Sequence, residues 1–289
     1  MKAIRKLLSV LLVITAAITM VVYDAFYKAP GRYKVRYETL SSLFIPASMN
    51  DRTIVYFSDL HYGPYMNADR LYEVMDTIKQ LSPDIILFGG DIFDEEHGEI
   101  NQDTLSLIAG CFGSLKAPLG KFAVYGDMDH ESPEIQQDVN NILYSSDFEV
   151  LNNTSILIHN GSSDSITLVG LDSGHLGTPD VSAAYASVSR AGYVITMCHT
   201  PDTCLDVPED LTNLFLAGHS LGGQAYWGFG ALYEPPGATH YFRGKHDIND
   251  SFTLDITNGV GTTKQDVRFL ADNEIVLYRL KHLDVSETK

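Results

Sequence analysis

Asp59 and His61 stand two positions apart where the apolar run Ile54-Val55-Tyr56-Phe57 gives out. A carboxylate oxygen and an imidazole nitrogen together suit zinc, manganese or iron. The same event recurs along the chain. Asp91 follows the apolar stretch 84–88, Asp127 follows 121–125, His199 follows 193–197 and His219 follows 214–217. A strand ending in such a residue delivers it to the carboxyl edge of a sheet, where open α/β sheets bind ligands. One Asp-x-His or Gly-Asp pair alone is also ordinary turn chemistry. Repetition at successive strand ends is what points to a metal centre.

The elements that must position these residues read as β-α-β-α-β-α in the first half. Leu71, Val74, Met75, Ile78 and Leu81 form one helical stripe over 67–81, ended by Pro83. A second helix is predicted over about 102–115, and Ser132-Pro133 opens a third that carries Ile135, Val139, Ile142 and Leu143. That order implies parallel strands with helical crossovers. From Phe148 the pattern turns to short strands at 148–151, 155–159 and 166–171. A helix over about 180–190 then precedes the strands that deliver His199 and His219. Strands at 252–256 and 274–280 close a single domain with no internal repeat.

Upstream, Lys2, Arg5 and Lys6 precede an uncharged apolar run from Leu7 to Tyr23. Its length reaches the minimum for a spanning helix, it shows no polar face, and no Ala-x-Ala cleavage site follows. It reads as a signal anchor within residues 1–27. The basic residues ahead of it place the short N-terminus in the cytoplasm and the soluble domain outside, on a single-pass cell-membrane protein. Residues 28–50, with Pro30, Gly31 and Pro46, read as a tether and a first strand, and 51–289 as the domain.

The balance of 20 Lys+Arg against 37 Asp+Glu gives a net charge of -17. That field repels nucleic acid, so no nucleic-acid partner is expected, and handling phosphate requires local cations. With 3 cysteines there is no disulfide scaffold; Cys198 and Cys204 would pair on export or stay as buried thiols.

Taken in order, Asp59-x-His61, Gly90-Asp91-x-x-Asp94, Gly126-Asp127, His199-Thr200-Pro201 and Gly218-His219-x-x-Gly222-Gly223-Gln224 resemble the motifs of the calcineurin-like metallophosphoesterases. The likeness is to their small membrane-associated bacterial branch, whose closing strand pair Asn258-Gly259-Val260-Gly261 and Arg268-Phe269 also resemble. The resemblance implies a four-layer α/β/β/α sandwich behind one N-terminal transmembrane helix. It implies one or two divalent ions (Mn, Zn or Fe), the first on Asp59, His61 and Asp91, the second on Asp91, Asp127, His199 and His219. It implies in-line attack by activated water on a phosphoester, with the membrane as partner through the N-terminal helix. The branch further suggests an envelope substrate such as a phospholipid or lipid-linked pyrophosphate.

Departures from the family pattern sit at chemical positions. Gly126-Asp127-Met128-Asp129 stands where the family has Gly-Asn-His-Asp/Glu, so a leaving-group imidazole is replaced by Met128. Gly218-His219-Ser220-Leu221 stands where it has Gly-His-x-His, so the first ion loses an imidazole to Leu221. His130 is the candidate catalytic substitute; Asp94 is expected to orient loops. His97, His159, His175, His240, His246 and His282 have no motif support. Tyr226 and Trp227 either pack in the core or line a lipid-facing cleft. Two alternatives follow: a binding module that keeps the fold without catalysis, and a serine hydrolase. For the latter, Gly218-x-Ser220-x-Gly222 satisfies the nucleophile elbow, with Asp247 and His282 as partners, although the Gly- and Pro-rich sequence after it disfavours the required helix.

Overall fold

A computed structural model describes residues 2–284; the last stretch of the expected domain, 285–289, lies outside the described residues. Helix α1 (Lys2–Tyr23) buries none of its residues and is long and apolar enough to cross a membrane. It runs on through a π-helical turn (Asp24–Lys28) and a 3-10 turn (Ala29–Gly31) directly into strand β1 (Tyr33–Ser42). The strand expected within residues 28–50 is thus integral to the first sheet and runs on to Ser42. β1 lies parallel to β12 (Asn273–His282) through ten paired positions, from Tyr33 opposite Asn273 to Ser42 opposite His282.

Two six-stranded sheets stack face to face. The first joins β1 and β12 to β2 (Thr53–Phe57), β3 (Ile85–Phe88), β4 (Lys121–Ala123) and β5 (Glu149–Val150), in the order β1-β12-β2-β3-β4-β5. The second contains β6 (Thr154–His159), β7 (Ser165–Gly170), β8 (Val194–Met197), β9 (Leu214–Ala217), β10 (Gly244–Asn249) and β11 (Phe252–Ile256), in the order β10-β11-β9-β8-β7-β6. Strand alternation assigns the core. Val55 and Phe57 face the helices α2 (Ala68–Leu81), α3 (Gln102–Gly113) and α4 (Pro133–Ser145), whereas Ile54 and Tyr56 meet Ile195, Met197 and Leu216 between the sheets. The caps follow the sequence: Asn67, Asn101 and Ser132 each accept a backbone N–H of the first helical turn.

The outer face of the second sheet differs from expectation. The helix expected over 180–190 shrinks to α5 (Val181–Ala184), and irregular chain around a 3-10 turn (Pro201–Leu205) completes that layer. Strand β10 escapes periodicity because Gly244–Asn249 carries a single large apolar residue, Ile248; it is held as an edge by pairing with β11. Cys111, Cys198 and Cys204 are buried and free.

One ion-pair network joins the sheets. Arg36 on β1 donates to both oxygens of Asp255 on β11, at 2.9 and 2.7 Å, and the Tyr278 hydroxyl on β12 donates to the same carboxylate at 2.7 Å. Asp255 is fully buried, so its charge depends on these donors. Replacing it with alanine should lower unfolding free energy by about 3 kcal/mol, read from urea titration of the full chain in detergent. Asp255→Asn, which preserves the Tyr278 bond, should cost less.

Candidate metal centre

The six sequence-predicted ligands all arrive at one rim. Asp59 and His61 follow β2, Asp91 follows β3, Asp127 follows β4, His199 follows β8 and His219 follows β9. To reach the rim the backbone turns into left-handed conformation at Asp59 (φ 56°), His61 (φ 50°), Asp91 (φ 62°) and His219 (φ 71°). Such conformations cost energy in residues with side chains and persist where the surroundings enforce them, typically at functional sites. Close approach is bought with glycine: a Cβ on Gly126 would strike the Asp91 carboxylate, and one on Gly218 would strike Ser58 and Asp59.

Asp59, His61 and Asp91 form one group of potential ligand atoms, and Asp127, His199 and His219 another, the atoms of each lying within 4.8 Å of one another. Asp91 reaches both: its Oδ2 lies 3.7 Å from His61 Nε2 and 3.1 Å from His199 Nε2. The imidazoles are oriented from behind. His199 Nδ1 donates to the Gly89 carbonyl at 2.8 Å and His219 Nε2 to the Pro236 carbonyl at 2.6 Å, leaving His199 Nε2 and His219 Nδ1 to face the carboxylates. His219 Nδ1 is 3.1 Å from Asp127 Oδ2. Yet Asp127 Oδ2 and His199 Nε2, both buried, have no hydrogen-bond partner. These atoms converge on common points instead of aligning with each other. That is the arrangement a cation completes, and the donor set fits divalent transition ions.

The electrostatics agree. Asp59, Asp91, Asp94, Asp127 and Asp129 are all buried, and among the described residues no lysine or arginine pairs with any of them. Burial opposes ionisation of Asp91, but His199, His61 and the Met128 N–H outweigh it and hold its carboxyl well below the usual range. Burial likewise disfavours a charged His199, and Asp91, Asp59 and Asp127 overcome it, raising its pKa. Burial and the neighbouring His199 charge push His219 down, toward the neutral form that ligates metal.

Supporting groups surround the ligands. Asp94 Oδ2 lies 3.5 Å from His61 Nδ1 while its Oδ1 accepts the Glu96 N–H, the orienting role expected of it. Asp129 accepts the N–H groups of Asp91, Ile92 and Gly126 at 2.9, 3.0 and 2.7 Å, pinning two ligand loops together. Asp127 Oδ1 accepts from the Ser173 hydroxyl and from the Leu176 N–H, while Oδ2, without a hydrogen bond, is left to face the centre, so the loop and the centre draw on different oxygens of one carboxylate. A carboxamide offers one such oxygen, which gives a physical reason for aspartate here.

Leu221 keeps the left-handed backbone (φ 53°) of the loop after His219, but its buried side chain packs beside Gly259 and Asp59 and offers no ligand atom. Met128 contributes its backbone N–H to Asp91 Oδ1 at 2.8 Å. His130 has both ring nitrogens engaged, Nε2 with Asp172 at 2.6 Å and Nδ1 with Gln136 at 2.9 Å. Sequence reasoning passed over two groups beside the centre. His175 is exposed on a loop with its ring 6.3 Å from that of His219. Tyr233 is half-buried, and burial and then the charges of Asp91, Asp59 and Asp127 raise its pKa. Neither stands in a motif; only the folding of their loops over the rim reveals them.

The serine-hydrolase alternative is corrected. Ser220 is buried and its Oγ accepts the Gly222 N–H at 3.2 Å, and a 3-10 turn (Leu221–Gly223), not a helix, follows it. Asp247 holds the Thr253 hydroxyl on β10, and His282 ends β12, ten residues along the strand from the rim. The GxSxG match rests on Gly218, Ser220 and Gly222 alone, and the structure gives Ser220 neither the helix nor the partners of a nucleophile.

The sequence profile described as calcineurin-like phosphoesterase matches residues 52–244, which contain every candidate ligand. The chain is 30% identical to the metallophosphoesterase YkuE of Bacillus subtilis (strain 168), over 89% of this chain and 88% of that one. It is 27% identical to a metallophosphoesterase of Aquifex aeolicus (strain VF5), over 78% of this chain and 83% of the other. A zebrafish (Danio rerio) protein named as a transmembrane protein with metallophosphoesterase domain is 24% identical over 82% of this chain and 55% of its own length. The converging ligands, the stacked sheets and these likenesses agree: the chain belongs to the calcineurin-like phosphoesterase family.

Proposed function

We propose that this protein is a membrane-anchored, metal-dependent phosphoesterase facing outward from the cell membrane, acting on an envelope phosphoester such as a phospholipid or lipid-linked pyrophosphate. One observation carries the reading: buried carboxylate and imidazole atoms from both sheets converge without satisfying one another. Asp59, His61 and Asp91 would hold one divalent ion; Asp91, Asp127, His199 and His219 a second. Bound, such ions supply Lewis acidity at phosphoryl oxygens and a water that ionises near neutral pH. The anchor and the charge order of its flanks support the outward placement; the membrane-associated branch suggests the substrate.

The chain's own residues do the rest. Gly89 and Pro236 carbonyls fix the tautomers of His199 and His219. His175, the exposed imidazole beside His219, takes the place of the one missing at Met128 and delivers the proton to the leaving oxygen. His130 is a positioning residue. Through Asp172, which also accepts the Ser173 and Thr178 N–H groups, it holds the loop that carries His175 and the donors to Asp127. The non-catalytic reading draws on Leu221 and Met128, which remove two imidazoles from the cleft.

Metal analysis of protein purified without chelators decides between them. An enzyme should carry bound transition ions and hydrolyse a generic phosphodiester, with turnover and metal lost together in Asp91→Asn. Metal-free protein without turnover in added manganese or zinc would establish the binding module. Leu221→His should tighten the weaker ion by about 10-fold or more, a gain comparable to that from completing a ligand shell, read by metal titration.

His175→Asn should lower kcat by about 10²–10⁴ with little change in KM, while metal content stays at the wild-type level; an unchanged kcat would remove His175 from the mechanism.

The His130–Asp172 pair makes a pH-dependent contribution to stability. Burial disfavours charge on His130, but the Asp172 hydrogen bond and charge outweigh it, raising the pKa above 6.5; burial also opposes ionised Asp172, and His130 with the Thr178 N–H outweighs it, lowering the pKa below 3.8. His130's share is complete below 6.5 and is lost as pH rises through the raised value; Asp172's is complete above 3.8 and is lost as pH falls through the lowered one. Urea midpoints of wild type and His130→Gln should therefore differ most between those limits and converge toward alkaline pH.

A further inference from the structure

The rim that gathers the ligands is also the end of the molecule where α1 leaves. β1 begins at Tyr33, opposite Asn273, the first residue of β12, and β12 runs antiparallel to β2. The start of β1 therefore lies at the end of the sheet where β2 delivers Asp59. The junction is fastened there. The Arg268 N–H donates to the Ala25 carbonyl at 2.9 Å, and Asn273 Nδ2 donates to that of Pro30 at 2.6 Å. Met20, Tyr23 and Lys28 line a crevice of about 800 Å³ together with Phe269 and Leu270.

Beside this junction stands an exposed apolar finger. The Trp227 N–H donates to the Gly230 carbonyl at 3.1 Å and the Leu232 N–H to that of Ala225 at 2.9 Å, closing a tight turn with Gly228 at φ 82°. The turn holds its large side chains outward: Trp227 is 60% exposed, Phe229 wholly so, Leu232 50% and the adjoining Leu270 64%. Nothing among the described residues covers them, and single exposed apolar residues need no explanation whereas a cluster does. The finger is tied to the junction, since Trp227 packs on Phe269 with ring centres 5.3 Å apart and the Tyr226 N–H donates to the Phe269 carbonyl at 2.8 Å. Cations flank it: Arg243 lies over the Tyr226 ring and donates to the Leu270 carbonyl, and Lys264 lies over the Tyr233 ring. Further along the same segment, the Pro236 carbonyl orients His219.

We propose that Trp227, Phe229, Leu232 and Leu270 sit in the interfacial layer of the bilayer that α1 crosses. Aromatic side chains with arginine and lysine around them are the composition that layer favours, and its anionic headgroups attract the local cations of a chain that is acidic elsewhere. The stacked Tyr23 and Tyr27 at the end of α1 mark the same level. The occupant of the surface is lipid, and the metal centre opens at headgroup height, where the phosphoester of an amphiphile lies. This rests on α1 being inserted, which the experiment reads separately.

Trp227 is the chain's 1 tryptophan, so its fluorescence reports the finger alone. The full chain is reconstituted into phosphatidylethanolamine–phosphatidylglycerol vesicles, with and without bromines on the acyl chains near the headgroup. Flotation after alkaline carbonate reads α1. In the floating fraction, Trp227 emission should shift to the blue, be quenched severalfold by the brominated lipid, and lose most of its access to acrylamide. Phe229→Asp should float equally yet restore acrylamide access. Floating protein whose Trp227 stays open to acrylamide and unquenched by bromine overturns the finger while leaving the anchor standing. Failure to float overturns both.

Discussion

The structure depends on gathering negative charge where water cannot reach it. Asp59, Asp91, Asp94, Asp127 and Asp129 occupy one buried rim with imidazoles as their close cationic partners among the described residues. Taking carboxylates out of water costs several kcal/mol apiece unless compensated. Three backbone N–H groups hold both oxygens of Asp129, which is why it can sit there as a strut although burial and the Asp91 charge still raise its pKa. Asp91 and Asp127 have one oxygen satisfied by the protein and the other turned inward. The left-handed turns and the glycines at Gly126 and Gly218 serve that convergence, and a bound cation would compensate the strain they carry.

One buried arginine connects this centre to the rest of the molecule. The Arg268 guanidinium donates to the carbonyls of Leu221, Asn258, Gly261 and Ala271, so the loop after His219 and the loop after β11 share a single clamp. Its own N–H holds Ala25 at the end of α1. Burial lowers its pKa to about 10, still high enough to keep the charge at neutral pH, and Asp59 is the first of the anions that favour it. The anchor junction and the metal rim are thus mechanically one piece. A domain fastened in this way cannot swing freely about the apolar N-terminal helix.

The ligands were legible in the sequence because each ends a strand, and strand ends carry a local signature: an apolar run followed by Gly-Asp or a lone His. Helices α2, α3 and α4 were legible for the same reason, with Asn67, Asn101 and Ser132 marking their starts. What escaped were features without local periodicity. Strand β10 carries one large apolar residue, Ile248, and exists through its partner. The expected helix over 180–190 was cut to a single turn, with Tyr185 turned into the core to hydrogen-bond Thr196 and Thr212. His175 and Tyr233 have nothing in sequence to set them apart; they become neighbours of the centre when long loops fold back over it. His130 was legible as an imidazole near the right place, but not as one already committed to Asp172 and Gln136.

The two departures from the family pattern act in opposite directions on the two halves of the centre. Leu221 offers no ligand atom to the group built on Asp59 and His61, so an ion there would have three protein residues, Asp59, His61 and Asp91. Asp127 adds a full negative charge to the group built on His199 and His219, and charge on the ligand raises affinity for a hard or borderline divalent cation. The loops explain how the added charge is borne: Ser173 and the Leu176 N–H neutralise the outer oxygen without competing for the inner one. Ligands of equal number and kind would fill together. An ion would therefore be held more tightly by the half with Asp127, His199 and His219 than by the half beside Leu221. The difference lies in the donor atoms alone, because Leu221 keeps the left-handed backbone of its loop and Asp127 keeps its place at the rim.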